Sequence, residues 1–95
     1  MNVITNMIEI YKSNPTQEYY AKIHRCLDEY YNAQSQYIDN KLNDVRNTFN
    51  DSLRKDRITK HFCNRQLRLY EDVCNEQREQ LRQDVQKLRN LLNSI

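Results

Sequence analysis

The last third of this 95-residue chain carries a heptad repeat of apolar residues. Five of its members recur every seven residues, and they are Leu67, Cys74, Leu81, Leu88 and Ile95. Two more, Val85 and Leu92, lie four residues after Leu81 and Leu88. Arg, Gln, Glu and Asn fill nearly all the other positions, so the apolar side chains form one narrow stripe on a helix. Such a stripe must pack against another helix. We therefore predict that these seven residues, here called the C-terminal seam, bind a helical partner.

Composition limits the fold class to helices. The sequence contains no Gly and a single Pro, whereas the turns of sheets and hairpins depend on Gly, Pro, Asn and Asp. We predict an all-α fold with one domain, residues 1–95. It consists of a short helix at residues 2–13 and two long helices at residues 15–54 and 58–95.

Pro15 marks the first helix boundary. Before it, the apolar side chains of the short helix share one side, and they are Val3, Ile4, Met7, Ile8 and Tyr11. The residue before a proline is pushed away from helical dihedral angles, so the first helix is expected to stop at Asn14. We predict that Asn14 caps the second helix, with Pro15 as its first residue and Gln17 completing a capping box.

The second helix follows an eleven-residue repeat instead of a heptad. Its apolar line has steps of three, four and four residues, and it runs Tyr20, Ile23, Leu27, Tyr31, Gln34, Ile38, Leu42, Val45, Phe49 and Leu53. Eleven residues in three turns favour a nearly straight helix, whereas heptads favour left-handed supercoiling. The two long helices therefore have different pitch preferences, which disfavours a long regular two-stranded coil.

The eleven-residue repeat fails at residues 54–60, because its continuation would place Asp56 and Lys60 in the apolar line. Asp56 or Thr59 is available there to cap a following helix. A turn at this point gives two arms of nearly equal length, as in an antiparallel helical hairpin or coiled coil. The alternative is one unbroken helix that forms a parallel dimer. Because two facing helices bury little surface, we expect self-association or a partner to complete a bundle.

Polar residues interrupt both apolar lines. Gln34 lies in the eleven-residue repeat, and Glu71 and Arg78 occupy heptad positions in the last helix. Buried polar residues at such positions lower stability but restrict register and oligomeric state. This pattern favours a specific partner.

Seven tyrosines occur in the chain. Tyr20 and Tyr31 fit the apolar line, which leaves Tyr19, Tyr30 and Tyr37 beside it. Aromatic rings with a polar tip are enriched at interfaces. We predict either that these three residues form a partner-binding patch or that they widen the stripe on which the short helix packs.

A basic cluster spans residues 54–68. The only acidic residue in this segment is Asp56. The six cationic residues of the cluster are Arg54, Lys55, Arg57, Lys60, Arg65 and Arg68. Such a cluster can bind nucleic-acid phosphates or, less readily, anionic lipid headgroups. The formal net charge of the chain is only +2, which also suits a solvated or protein-facing patch.

The cysteines and histidines do not predict a chemical site. His24 with Cys26 and His61 with Cys63 are two residues apart, which points the paired side chains away from each other on a helix. We therefore expect no metal, cofactor, catalytic residue or small-molecule substrate. Three cysteines, an odd number, and the lack of a long apolar segment predict a soluble intracellular protein, cytoplasmic or nuclear, with reduced thiols.

These observations favour a non-catalytic helical interaction module, a homodimer or a subunit that docks onto a helical partner. Dimerisation, adaptor and scaffold roles all fit this description. The alternative is a nucleic-acid-binding helical domain that uses the basic cluster at residues 54–68. Membrane-surface binding through the same residues is the weakest of the three hypotheses.

Overall fold

Three helices account for nearly all of residues 2–95, the part of the chain that the computed structural model describes. They are α1 (Asn2–Ser13), α2 (Gln17–Arg54) and α3 (Lys60–Asn93). No strand occurs among these residues, so the predicted all-α fold class is confirmed. The helix is interrupted between Arg54 and Lys60, which rules out one unbroken helix after Pro15.

Thr16, and not Asn14, caps α2. The Thr16 Oγ1 accepts a hydrogen bond from the backbone N–H of Tyr19 at 3.2 Å, and the Thr16 carbonyl accepts one from Tyr20 at 3.0 Å. The predicted start of this helix at residue 15 was therefore two residues too early. Both Asn14 and Thr16 are good capping residues, and Thr16 lies where its hydroxyl meets the N–H three residues on.

The connection between α2 and α3 is a tight helix end followed by a new cap. Asp56 has a positive φ of 57°. The N–H of Arg57 donates to the carbonyl of Ser52 at 2.9 Å, and that of Asp56 donates to Leu53 at 3.1 Å. These two bonds around a left-handed residue form a Schellman motif, a role usually filled by Gly. Thr59 then caps α3, because its Oγ1 accepts from the N–H of Phe62 at 3.1 Å.

The chain separates into two compact units, and α2 and α3 contribute to both. The terminal unit joins the chain up to Gln34 with Leu81–Ile95. All three helices supply its buried apolar side chains, which are Ile4, Ile8, Ile23, Leu27, Leu81, Val85 and Leu92. The rings of Tyr11 and Tyr20, with centroids 5.9 Å apart, join α1 to α2. The terminal unit is therefore a three-helix core.

The central unit, Ser35–Gln80, contains parts of α2 and α3 and the turn between them. Its buried apolar side chains are fewer, and they are Ile38, Leu42, Cys63 and Cys74. Other members of the two apolar lines are only half-buried here, including Val45, Phe49, Leu53 and Leu67. Two facing helices cover each other on one side alone, so the outer edges of their apolar stripes stay in contact with water.

Two residues predicted to lie on apolar faces are exposed. Val3 points to solvent, because the buried side of α1 is centred on Ile4 and Ile8, one turn apart. Gln34 is also exposed, whereas the next residue, Ser35, is half-buried. Gln34 is therefore not a polar member of the buried stripe.

Asp56 offers a direct test of the turn. We expect Asp56→Gly to raise the free energy of unfolding by about 0.5–1 kcal/mol, because Gly adopts positive φ without the steric cost that a Cβ adds. Asp56→Ala should lower it by about 0.5 kcal/mol, since Ala keeps the Cβ and loses the tolerance of Asp for this conformation. Urea unfolding of the three proteins measures both changes. An Ala variant as stable as the Gly variant would contradict a left-handed residue at this position.

Candidate interaction surface

Most of the C-terminal seam is packed within the chain itself. Cys74 is buried in the central unit, and Leu81, Val85 and Leu92 are buried in the terminal unit. Leu67 and Leu88 are half-buried. Binding of a partner through the buried members requires the chain's own helices to separate first. The seam's role in partner binding stays a prediction.

Ile95 does not belong to the buried part of the seam. α3 ends at Asn93, so Ile95 lies beyond the helix, and 44% of its surface is exposed. The hydroxyl of Ser94 donates to the carbonyl of Leu91 at 2.8 Å and so satisfies part of the helix end. The heptad spacing therefore stops describing the structure at Leu92.

The three tyrosines of the predicted aromatic patch differ in their surroundings. Tyr19 and Tyr30 are half-buried in the terminal unit, whereas Tyr37 belongs to the central unit and is exposed. The ammonium of Lys41 lies 5.1 Å from the centroid of the Tyr37 ring. A hydrogen bond with Tyr37 is the main cause that raises the pKa of Lys41.

A different aromatic cluster forms in the terminal unit around Tyr20. Its hydroxyl donates to Oδ1 of Asn93 at 2.6 Å, which ties α2 to the end of α3. The ring of His24 meets the Tyr20 ring edge-on, with centroids 4.5 Å apart. The i, i+4 spacing of Tyr20 and His24 could have indicated this contact, but nothing in the spacing indicates the distant Asn93.

Arg89 completes this cluster. Its guanidinium forms an ion pair with Asp28 and lies 2.8 Å from Nδ1 of His24. Because a guanidinium only donates hydrogen bonds, Nδ1 of His24 is the acceptor in this contact. Each polar group here contacts another helix or the next turn, so the cluster holds α2 and α3 together in the terminal unit.

In the central unit, the two polar heptad residues form ion pairs between the long helices. Arg78 pairs with Asp39, and Glu71 accepts from the guanidinium of Arg46 at 2.9 Å. Asp39 and Arg46 are seven residues apart on α2, as are Glu71 and Arg78 on α3. Along α2 the residue that pairs with Arg78 comes first, whereas along α3 the residue that pairs with Arg46 comes first. These residues therefore select a register inside the chain.

An exposed apolar stripe on α3 is the most unusual surface of the central unit. Phe62, Leu69 and Val73 leave 45%, 52% and 47% of their surface exposed. Seven and four residues separate them, so they lie along one side of the helix. Leu69 and Val73 also line an open groove with Phe49, Gln66 and Tyr70. We call Phe62, Leu69 and Val73 the outer stripe.

Sequence reasoning missed the outer stripe. Its spacing of seven and four residues is the same signal that revealed the C-terminal seam. The stripe has only three members. Leu67, which lies between Phe62 and Leu69, and Cys74, which follows Val73, belong to the longer C-terminal seam. A search for a second apolar line between Lys60 and Gln80 could have found it.

All six residues of the basic cluster are exposed, but two of them are neutralised locally. Arg54 and Lys55 both form ion pairs with Asp51, one turn earlier on α2, at 2.5 and 3.0 Å. Arg65 and Arg68 share a groove on α3 with His61 and Asn64. Binding of phosphate by the cluster stays a prediction, with fewer unpaired charges than the sequence suggested.

Two further possibilities for residues 2–95 are metal binding and a membrane-spanning helix. Within this range, no group of three or more His, Cys, Asp and Glu side chains could hold a metal ion. None of the helices formed by these residues is long and apolar enough to cross a membrane. Comparison of the chain with protein-family models, curated proteins and solved structures gives no significant match.

The pairing of Asp39 with Arg78 can be measured with a double-mutant cycle. We expect Asp39→Asn, Arg78→Gln and the double variant to show a coupling energy of about 0.5 kcal/mol, as for half-exposed ion pairs. Urea unfolding provides the free energies. The pair Asp39→Asn and Arg68→Gln is the matched control and should be additive. Equal coupling in both cycles would contradict the contact.

Asp51 provides a pH-dependent test of the turn region. Hydrogen bonds from Lys55 and then Arg54 lower the pKa of Asp51 below its ordinary value of 3.8. A carboxylate with a lowered folded pKa stabilises the fold above its unfolded pKa, and this contribution is lost as pH falls through the folded pKa. NMR titration of Lys55→Met should show the Asp51 pKa rising toward 3.8. Arg57→Met, the control, should leave the Asp51 pKa unchanged.

Proposed function

We propose that this chain is a non-catalytic helical protein–protein interaction module. In this proposal α2 and α3 form an antiparallel hairpin, and the outer stripe on α3 is the surface that a helix of another chain covers. The observation that carries the proposal is the exposure of Phe62, Leu69 and Val73 in the unit that has only two helices.

The polar contacts support an antiparallel hairpin. In the terminal unit Asp28 pairs with Arg89, and in the central unit Asp39 pairs with Arg78. Eleven residues separate Asp28 from Asp39 on α2, and eleven separate Arg78 from Arg89 on α3. In the third pair, Arg46 lies seven residues after Asp39, and its partner Glu71 lies seven residues before Arg78. Within the central unit, one antiparallel register therefore accounts for both ion pairs.

The terminal unit supports the idea that a third helix belongs on each pair of helical segments. There, α1 inserts Ile4 and Ile8 into the core and places Tyr11 against Tyr20. The central unit contains no segment equivalent to α1. A helix that covers the outer stripe would remove from water three apolar side chains that are now about half exposed, and each fully buried side chain of this type contributes about 1.5–3 kcal/mol.

The shape of the outer stripe favours a helix as its partner. Val73 lies eleven residues after Phe62, or about 16 Å at 1.5 Å per residue, which matches three turns of a facing helix. Phe49 and Tyr70 widen the stripe into a groove on the side of α2. Anchors at spacings of three, four and seven residues are typical of helix-in-groove recognition.

Site-specific photo-crosslinking tests this proposal. A benzophenone amino acid replaces Leu69 in the cells that naturally make the chain, and we expect a discrete protein adduct that mass spectrometry identifies. The same replacement of Leu91, a comparably exposed leucine on α3 in the terminal unit, is the control. Adding Phe62→Asp to the Leu69 variant should remove the adduct, because a buried carboxylate opposes docking. Equal labelling at both positions would refute the proposal.

A further inference from the structure

We infer that the helix covering the outer stripe is α3 of a second copy of this chain, packed antiparallel. This inference rests on the proposed function and names its partner. It predicts that two central units join into a four-helix assembly, with Leu69 near the twofold axis and the outer stripes of the two copies facing each other.

Charge complementarity along the stripe carries the inference. Arg65 and Asp72 are seven residues apart, nearly two helical turns, so they lie along the same edge of the outer stripe. Both are exposed, and neither forms an ion pair with any other residue between 2 and 95. The edge therefore carries an unpaired positive charge toward the start of α3 and an unpaired negative charge toward its middle.

This pattern fits a second copy in one orientation only. Arg65 lies four residues before Leu69, and Asp72 lies three residues after it. When two copies meet antiparallel near Leu69, each Arg65 comes opposite the other copy's Asp72. A parallel arrangement instead places the two charged edges on opposite sides of the interface, so Arg65 and Asp72 of one copy do not meet those of the other. The opposite charges therefore attract each other only in the antiparallel dimer, and this attraction selects it.

The size of the surface predicts a weak dimer. The outer stripe has three anchors, each about half buried already, and the groove adds only Phe49, Tyr70 and the polar Gln66. Interfaces of this extent fall at the low end of the range for specific complexes. We therefore expect dissociation constants of micromolar order, with a dimer that weakens as salt screens the two ion pairs.

Sedimentation equilibrium of the purified chain tests the inference with charge reversal. Arg65→Glu and Asp72→Arg should each weaken dimerisation about tenfold or more, because each variant places like charges opposite each other twice per dimer. A mixture of the two variants restores attraction at both positions. The glutamate introduced at position 65 then faces the arginine introduced at position 72, and the Asp72 of one variant faces the Arg65 of the other. The mixture should therefore form a heterodimer at least as readily as the unaltered chain dimerises.

Two further variants separate the surface from the fold. Leu69→Asp should abolish dimerisation, whereas Leu91→Asp should leave it unchanged, and circular dichroism should show the same helicity in both. A mixture of charge variants that associates no better than either variant alone would refute the antiparallel arrangement. A chain that stays monomeric up to about 200 μM, well above micromolar constants, would refute self-association. If Leu69 still crosslinks to a different protein, the proposed function stands without this inference.

Discussion

A pair of helices can hide only the side chains that face each other, and this limit accounts for most features of the structure. In the terminal unit, α1 covers part of the surface that α2 and α3 leave open, and seven apolar side chains become buried. In the central unit no third segment is present, and four become buried. The apolar residues that are covered only in part, Phe62, Leu69 and Val73, stay in contact with water. The same physical constraint thus produces a closed core in one unit and an incomplete one in the other.

The ion pairs between α2 and α3 contribute more to register than to stability. Half-exposed pairs such as Asp39 with Arg78 and Arg46 with Glu71 are worth roughly 0–1 kcal/mol each. A shift of one helix by a single turn, however, would separate every pair at once. Apolar side chains of similar size tolerate such shifts, because one Leu can replace another in a stripe. Polar residues at heptad positions therefore help the chain to choose one arrangement among several of similar apolar burial.

The sequence predicted the fold class and most of the buried stripe on α3, because a heptad periodicity sustained over four repeats is typical of a helix that packs along another helix. It failed where a choice depended on contacts between distant residues. Asn14 and Thr16 are both competent caps, and only the path of the chain after Pro15 decides between them. Gln34 fitted the periodicity, but the neighbouring Ser35 is the half-buried residue.

The candidate surface was harder still to predict, since a helix can carry two apolar lines and periodicity does not tell which one packs inside the chain. The seam containing Cys74 and Leu81 is the longer line and was predicted to bind a partner, yet these two residues pack within their own chain, and the shorter line through Leu69 is the exposed one.

The incomplete core also links binding to stability. The central unit buries fewer apolar side chains and ends in a turn where Asp56 takes a left-handed conformation that costs free energy in any residue but Gly. A unit built this way is expected to open locally more often than the terminal unit. A partner that covers Phe62, Leu69 and Val73 binds only when α3 is folded, so it stabilises this unit by an amount that rises with its free concentration relative to the dissociation constant. Interaction and folding are therefore thermodynamically coupled where the third helix is missing.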